Sequence, residues 1–132
     1  MNTETIMQCM RASFADTPFP LVVQRLAGAG VTHYRADLMK LRNTYYDAGA
    51  GAFDETMPLA DAPAVAAGFD RDTVAATVKA IQQKQIGYAE FLRRIMGAGC
   101  ASYEVFFGGR KAVYVGRDGD TYVEPFPAPP AQ

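Results

Sequence analysis

Residues 25–34 read RLAGAGVTHY and residues 94–103 read RIMGAGCASY, and laying one stretch over the other decides the fold. Each stretch closes an apolar stripe: Val22, Val23 and Leu26 in the first, Phe91, Leu92 and Ile95 in the second. That i, i+1, i+4 spacing belongs to a short helix packed on one side. Gly28-Ala29-Gly30 and Gly97-Ala98-Gly99 then end the helices, because glycine accepts the left-handed backbone of a helix C-cap. A glycine-rich phosphate cradle stands instead at a helix N-terminus, where backbone N–H groups point outward. Here the glycines follow the helix, so the tripeptide is a cap and a turn.

Extended outward without a gap, residues 17–58 lie over 86–127 with eight identities: Arg25/Arg94, Gly28/Gly97, Ala29/Ala98, Gly30/Gly99, Tyr34/Tyr103, Tyr45/Tyr114, Glu55/Glu124 and Pro58/Pro127. Chance gives roughly two or three over such a length, so the match reads as an internal repeat. After the first cap, Tyr34, Ala36 and Leu38 alternate with Arg35 and Asp37, the period of a half-buried strand. Asn43 to Asp47 and Phe53 to Met57 supply two further strands. In the second half Tyr103 to Phe107 and Lys111 to Val115 flank Gly108-Gly109, read as a tight hairpin turn, and Asp118-Gly119 makes the next turn before Thr121 to Glu124.

Each half also opens with a helix. Thr5 to Phe14 places Ile6, Met7, Met10 and Phe14 on one face. Thr73 to Gln83 does so with Val74, Val78 and Ile81, with Asp72 as the expected N-cap. These two helices match at an offset of 68 rather than 69. The expected fold class is α+β: a tandem duplication of a helix–helix–three-strand unit, its antiparallel meanders packed with helices around a shared core with an approximate internal two-fold. One domain spans residues 1–132, with repeats at about 3–58 and 72–127 joined by an extended Ala/Pro-rich connector, and residues 128–132 are expected to be a disordered tail.

Composition narrows the function by exclusion. A net charge of −1 lacks the basic excess that neutralises phosphates, which argues against a nucleic-acid partner. Arg110-Lys111 with Arg117 reads as the charge protection of strand ends. No run of apolar residues is long enough for a membrane span, and no secretory leader is legible, so a soluble, cytoplasmic protein is expected. Cys9 and Cys100 have neither paired nor metal-ligand spacing; two free thiols are the simplest reading, although spacing alone leaves a disulfide open.

The run Phe19-Pro20 through Gly28-Ala29-Gly30-Val31-Thr32-His33-Tyr34, then Asp37-Leu38 and Thr44-Tyr45-Tyr46, resembles the YbcV-like family of small bacterial and prophage proteins. Tyr88, Phe91-Leu92-Arg93, Ala98-Gly99-Cys100 and Gly108-Gly109-Arg110-Lys111 extend the resemblance, which covers about Thr3 to Pro127. It implies a prophage origin and a "phage envelope protein" label carried by some members. It implies no activity and no assigned site residues, because the family is one of unknown function.

The residues themselves offer few chemical candidates. His33 is the single histidine and aligns with Ser102, while Cys100 aligns with Val31, so a Cys–His pair needs the two turns to meet. Asp37 stands where the other half has Phe106, and Tyr46 where it has Val115. Such replacements mark either an exposed face or a site. A ligand site would therefore draw on His33, Asp37, Tyr45 and Tyr46, in a pocket between the repeats lined by some of the seven Tyr and eight Phe. Metal binding is not expected from one His and two distant Cys, and no cofactor motif is present. A non-enzymatic accessory or interaction protein, acting through a protein partner or by self-association, is the leading expectation. A small-molecule-binding protein or minor enzyme is the alternative.

Overall fold

The computed structural model describes residues 1–127. The expected tail, 128–132, lies outside the described residues. Helix α1 (Thr3–Phe14) starts where Asn2 Oδ1 accepts from the Thr5 backbone N–H at 3.1 Å. Helix α3 (Arg71–Gln82) is capped in the same way, by Asp70 accepting from Thr73 N at 3.0 Å. The cap is therefore Asp70 and not the expected Asp72, which sits in the first turn, where a carboxylate faces the positive end of the helix. On α1, Ile6, Cys9 and Met10 are buried while Met7 is exposed, so Cys9 takes the inward place expected of Met7. Helices α2 (Phe19–Gly28) and α4 (Tyr88–Gly97) end at the Gly-Ala-Gly turns, with Gly30 at φ 95° and Gly99 at φ 91°. At Gly99 a Cβ would run directly into the Gly68 carbonyl.

The strands are β1 (His33–Asp37), β2 (Arg42–Tyr46), β3 (Ala52–Thr56), β4 (Cys100–Phe106), β5 (Lys111–Gly116) and β6 (Thr121–Pro125). They form one antiparallel sheet in the order β3-β2-β1-β4-β5-β6. Two three-stranded meanders thus join edge to edge through β1 and β4, with Arg35 opposite Glu104 at the seam. Helix–helix–three-strand order occurs twice along the chain. The second helices start at Phe19 and Tyr88, the second strands at Arg42 and Lys111 and the third at Ala52 and Thr121, all 69 residues apart. The first helices start at Thr3 and Arg71, 68 apart.

The hairpins β1–β2 and β4–β5 close through residues 38–41 and 107–110, with Leu41 and Arg110 in the left-handed region, both at φ 54°. The expected tight Gly108-Gly109 turn is thus a four-residue loop whose strained position is not a glycine. The cause is packing. Leu38 is buried and Phe107 partly so, and their N–H groups donate to Ala101 O and Thr32 O on neighbouring segments, which pulls each loop's first residue inward.

Both helix pairs cover the same face of the sheet. That face presents Tyr34, Ala36, Tyr45, Tyr103, Val105, Ala112 and Tyr114 to Ile6, Met10, Val22, Leu26, Val74, Val78, Phe91, Leu92 and Ile95. The segment between β3 and α3 is not the free connector expected from its Ala/Pro content. Leu59 and Val65 are buried, Ala66 N donates to Met96 O at 3.1 Å and Asp70 N to Ala98 O at 2.7 Å. Arg117 and Arg93 donate to the Val65 and Ala60 carbonyls, so this strap is tied down along its length.

Candidate functional site

Strand alternation divides the four predicted site residues between two faces. His33 and Tyr46 are cross-strand partners on the uncovered face, their rings stacked at 4.6 Å and 9°. Phe106, on β4, extends the stack from the other side of His33 at 5.8 Å and 12°. Asp37 lies on the same face but at the far end of β1, four residues from His33, or roughly 13 Å at the rise of a strand. Its Oδ1 accepts from the Met39 and Lys40 N–H groups at 3.0 and 3.1 Å, which makes it the cap of the β1–β2 loop. Tyr45 points the opposite way, under the helices, where its hydroxyl accepts from Asn43 Nδ2 at 3.1 Å. So His33 and Tyr46 are brought together, while Asp37 and Tyr45 stand apart from them.

The central row of the uncovered face runs Asp54, Thr44, Arg35, Glu104, Val113, Val123 across the six strands. Arg35 and Glu104 pair at 3.9 Å, and Thr44 donates to Asp54. Its β5–β6 side carries Val113, Val115 and Val123, and Val123 is 44% exposed. One side of this face is therefore charged, the other apolar, and an aromatic stack spans the middle. Tyr46 and His33 stand out in the sequence, whereas Phe106 and Val115 stand there only as the apolar counterparts of Asp37 and Tyr46. The alternation of β4 and β5 was the available signal: it turns Phe106, Val113 and Val115 away from the helices.

On the covered face the tyrosines form a core cluster. Tyr34, Tyr103 and Tyr114 are buried, Phe91 packs edge-on to Tyr103 and Tyr114, and the Tyr88 and Tyr103 hydroxyls hydrogen bond. Burial pushes Tyr88 up to about 12 and holds Tyr34, Tyr45, Tyr103 and Tyr114 above the usual phenol range. These phenols keep their protons at neutral pH, which suits packing and not acid–base work. Cys100 is fully buried, donates to the Ser102 carbonyl at 3.2 Å, and is pushed by desolvation up to about 12. His33 pairs with Phe106 at the other end of β4, so no Cys–His couple forms. Both cysteines are free and buried.

Two open grooves border the fold. One, of about 530 Å³, lies between the start of α3 and the end of α4, with Asp70, Thr73, Arg94 and Gly97 among its walls. The other, of about 310 Å³, lies between the β1–β2 loop, the strap and the end of α4, lined by Leu38, Met39, Pro63, Val65, Met96 and Arg117. None of His33, Asp37, Tyr45 or Tyr46 lines either groove. Among the described residues, no three of His, Cys, Asp and Glu cluster to hold a metal, and no helix is long and apolar enough to cross a membrane.

No family model matches the sequence. The chain is similar to uncharacterized proteins of Mycobacterium tuberculosis (strains H37Rv and CDC 1551) and Mycobacterium bovis. Each is 29% identical over 110 residues, covering 83% of this chain and 67% of the relative.

Proposed function

We propose that this chain is a small non-enzymatic interaction protein, a cytoplasmic accessory factor that works through the uncovered face of its sheet. One observation carries the reading: all four helices lie on one face, leaving the Tyr46–His33–Phe106 stack and Val113, Val115 and Val123 unpacked on the other. Stacked aromatics beside an apolar patch are the kind of surface that protein partners cover. The partner is another protein or a second copy of this chain. In this reading the chain is one domain made by tandem duplication, which accounts for the 69-residue spacing of matching elements, and the YbcV-like resemblance adds a prophage origin.

The test combines light scattering after size exclusion with capture of partners from host lysate, for the native chain and for Val123→Asp and Phe106→Ser. Association that both substitutions abolish, with circular dichroism and Tm unchanged, is the expected result. A monomer without partners, or association indifferent to both substitutions, refutes the proposal.

A second reading, small-molecule binding, is favoured by the groove between the β1–β2 loop, the strap and α4, because it lies where the two halves meet and combines apolar walls with Arg117. A metabolite that raises Tm at saturation, and no longer does so in Met96→Gln, supports it.

A further inference from the structure

Under the helices, at the edge of the sheet, two oxygens lack partners. Asn43 Oδ1 and Glu55 Oε2 are the buried side-chain oxygen or nitrogen atoms left without a hydrogen bond among the described residues. They belong to cross-strand partners, since Asn43 on β2 pairs with Glu55 on β3 and both side chains turn to the covered face. Asn43 is 3% exposed; its Nδ2 donates to the Tyr45 hydroxyl, while its Oδ1 has no partner. Two unpartnered acceptors on cross-strand partners are costly unless a proton is shared between them. A neutral carboxylic acid supplies one, because it carries an O–H donor that the carboxylate lacks.

We propose that Glu55 is held as the neutral acid in the folded protein and donates its proton to Asn43 Oδ1, forming a pH-sensitive latch that fastens the edge strand β3 to β2 beneath α1.

The other end of the sheet shows what an unprotonated arrangement requires. Glu124 on β6 occupies the matching place, opposite Ala112 on β5. Its Oε1 accepts from Gln82 Nε2 at 3.1 Å and its Oε2 from the Tyr122 hydroxyl at 2.7 Å. Gln82 is the last residue of α3 and Tyr122 lies two residues before Glu124. The residue two before Glu55, in the place of Tyr122, is Phe53, which donates nothing. Glu55 has thus no donor where Glu124 has two, and it faces an acceptor where Glu124 faces a methyl group. Desolvation pushes the Glu55 carboxyl above its ordinary range, against the pull of Arg11. The titratable and charged groups around it are Arg11 and Cys9 from α1 and Tyr45 from β2, with Arg25 of α2 acting on Cys9 and Tyr88 of α4 on Tyr45. Arg11 makes no ion pair with it, so no fixed cation replaces the proton.

A carboxyl whose pKa is higher folded than unfolded contributes stability that is complete below the unfolded value, about 4.3, and is lost as pH rises through the folded value. The latch therefore holds in mild acid and loosens toward neutrality, with β3 the segment released. Glu55→Gln mimics the neutral acid at every pH, because its amide donates to Asn43 Oδ1 without titrating. Two measurements test this on the full chain. Side-chain carbon NMR of the native protein follows the Glu55 carboxyl directly, and a midpoint above the ordinary glutamate value is expected. Thermal melts of native protein and Glu55→Gln from pH 4 to 8 should diverge, the native Tm falling relative to the variant as pH rises, with faster hydrogen exchange in the β3 amides of the native chain alone.

A Glu55 midpoint at or below the ordinary value overturns the proposal. In that case the Asn43 amide is turned, with Nδ2 against an ionised carboxylate and the Tyr45 hydroxyl donating to Oδ1. A Tm difference that does not change with pH overturns it equally. The NMR titration needs no variant, so it decides the matter even if Glu55→Gln folds poorly.

Discussion

Gly30 and Gly99 end corresponding helices with nearly the same backbone, φ 95° and 91°, yet replacing them by alanine should cost different amounts. An L-residue forced into the left-handed region loses about 1–2 kcal/mol at either position. Both variants also gain a few tenths to about 1 kcal/mol from a less flexible unfolded chain, which cancels in the comparison. What differs is the space. At Gly30 the nearest atoms to a new Cβ are the Met1 Cα and N at 3.5 and 3.8 Å, ordinary van der Waals contacts. At Gly99 the Cβ would strike the Gly68 carbonyl, with Phe69 Cα at 3.0 Å. Gly68 cannot retreat freely, because the strap is pinned on either side of it by the bonds from Ala66 N to Met96 O and from Asp70 N to Ala98 O. Displacing packed backbone adds about 1–3 kcal/mol, so Gly99→Ala should lose about 1–3 kcal/mol more than Gly30→Ala. For a chain of this length about 1 kcal/mol moves Tm by about 4 °C, so Gly99→Ala should melt about 4–12 °C below Gly30→Ala. Urea and thermal unfolding of both variants measure the difference. Equal losses would refute the reasoning, because they would show that the strap yields without cost.

Two further outcomes follow from the polar groups. Removing one hydroxyl of the Tyr88–Tyr103 pair strands the other in the core, so Tyr88→Phe and Tyr103→Phe should each cost about 1–2 kcal/mol, and the double variant clearly less than their sum, in a urea-denaturation cycle. Asp70, whose carboxylate is held below its ordinary range first by the Thr73 hydroxyl and then by backbone N–H groups, contributes stability present above its unfolded pKa and lost as pH falls through the lower folded one. Acid titration of Asp70→Ala beside the native chain should show the difference in stability between them closing in that window, and a constant difference would refute the cap's role.

Much of the architecture was legible because its signals are local. The alternation of Tyr34, Ala36 and Leu38 against Arg35 and Asp37 specifies which face of β1 is covered, and the structure agrees residue by residue. The Gly-Ala-Gly turns behave as caps for the reason glycine was chosen there. The β1–β4 pairing was not legible, because strands separated by a strap and two helices share no turn to signal their register. Composition misled at the strap: alanine and proline read as a free connector, but Leu59 and Val65 suffice to hold it to the core. The candidate site suffered from a related error. Adjacency in sequence placed Tyr45 with Tyr46, whereas on a strand neighbours face opposite ways.

The comparison of halves also changes which of their differences matter. From sequence, the informative differences were Asp37 against Phe106 and Tyr46 against Val115. Both pairs belong to the uncovered face, where Asp37 caps a loop and Tyr46 joins a stack; solvent there tolerates either kind of side chain. On the covered face tolerance is small, since a buried polar atom must find a partner or cost stability. Two differences meet there at one carboxyl: Asn43 against Ala112 and Phe53 against Tyr122. Each alone reads as an ordinary change of packing. Together they leave Glu55 without the tyrosine donor that Glu124 has and set an unpartnered acceptor on its cross-strand partner. Changing Glu55 alone therefore tests both, because a neutral amide at that position supplies a donor to the unpartnered acceptor.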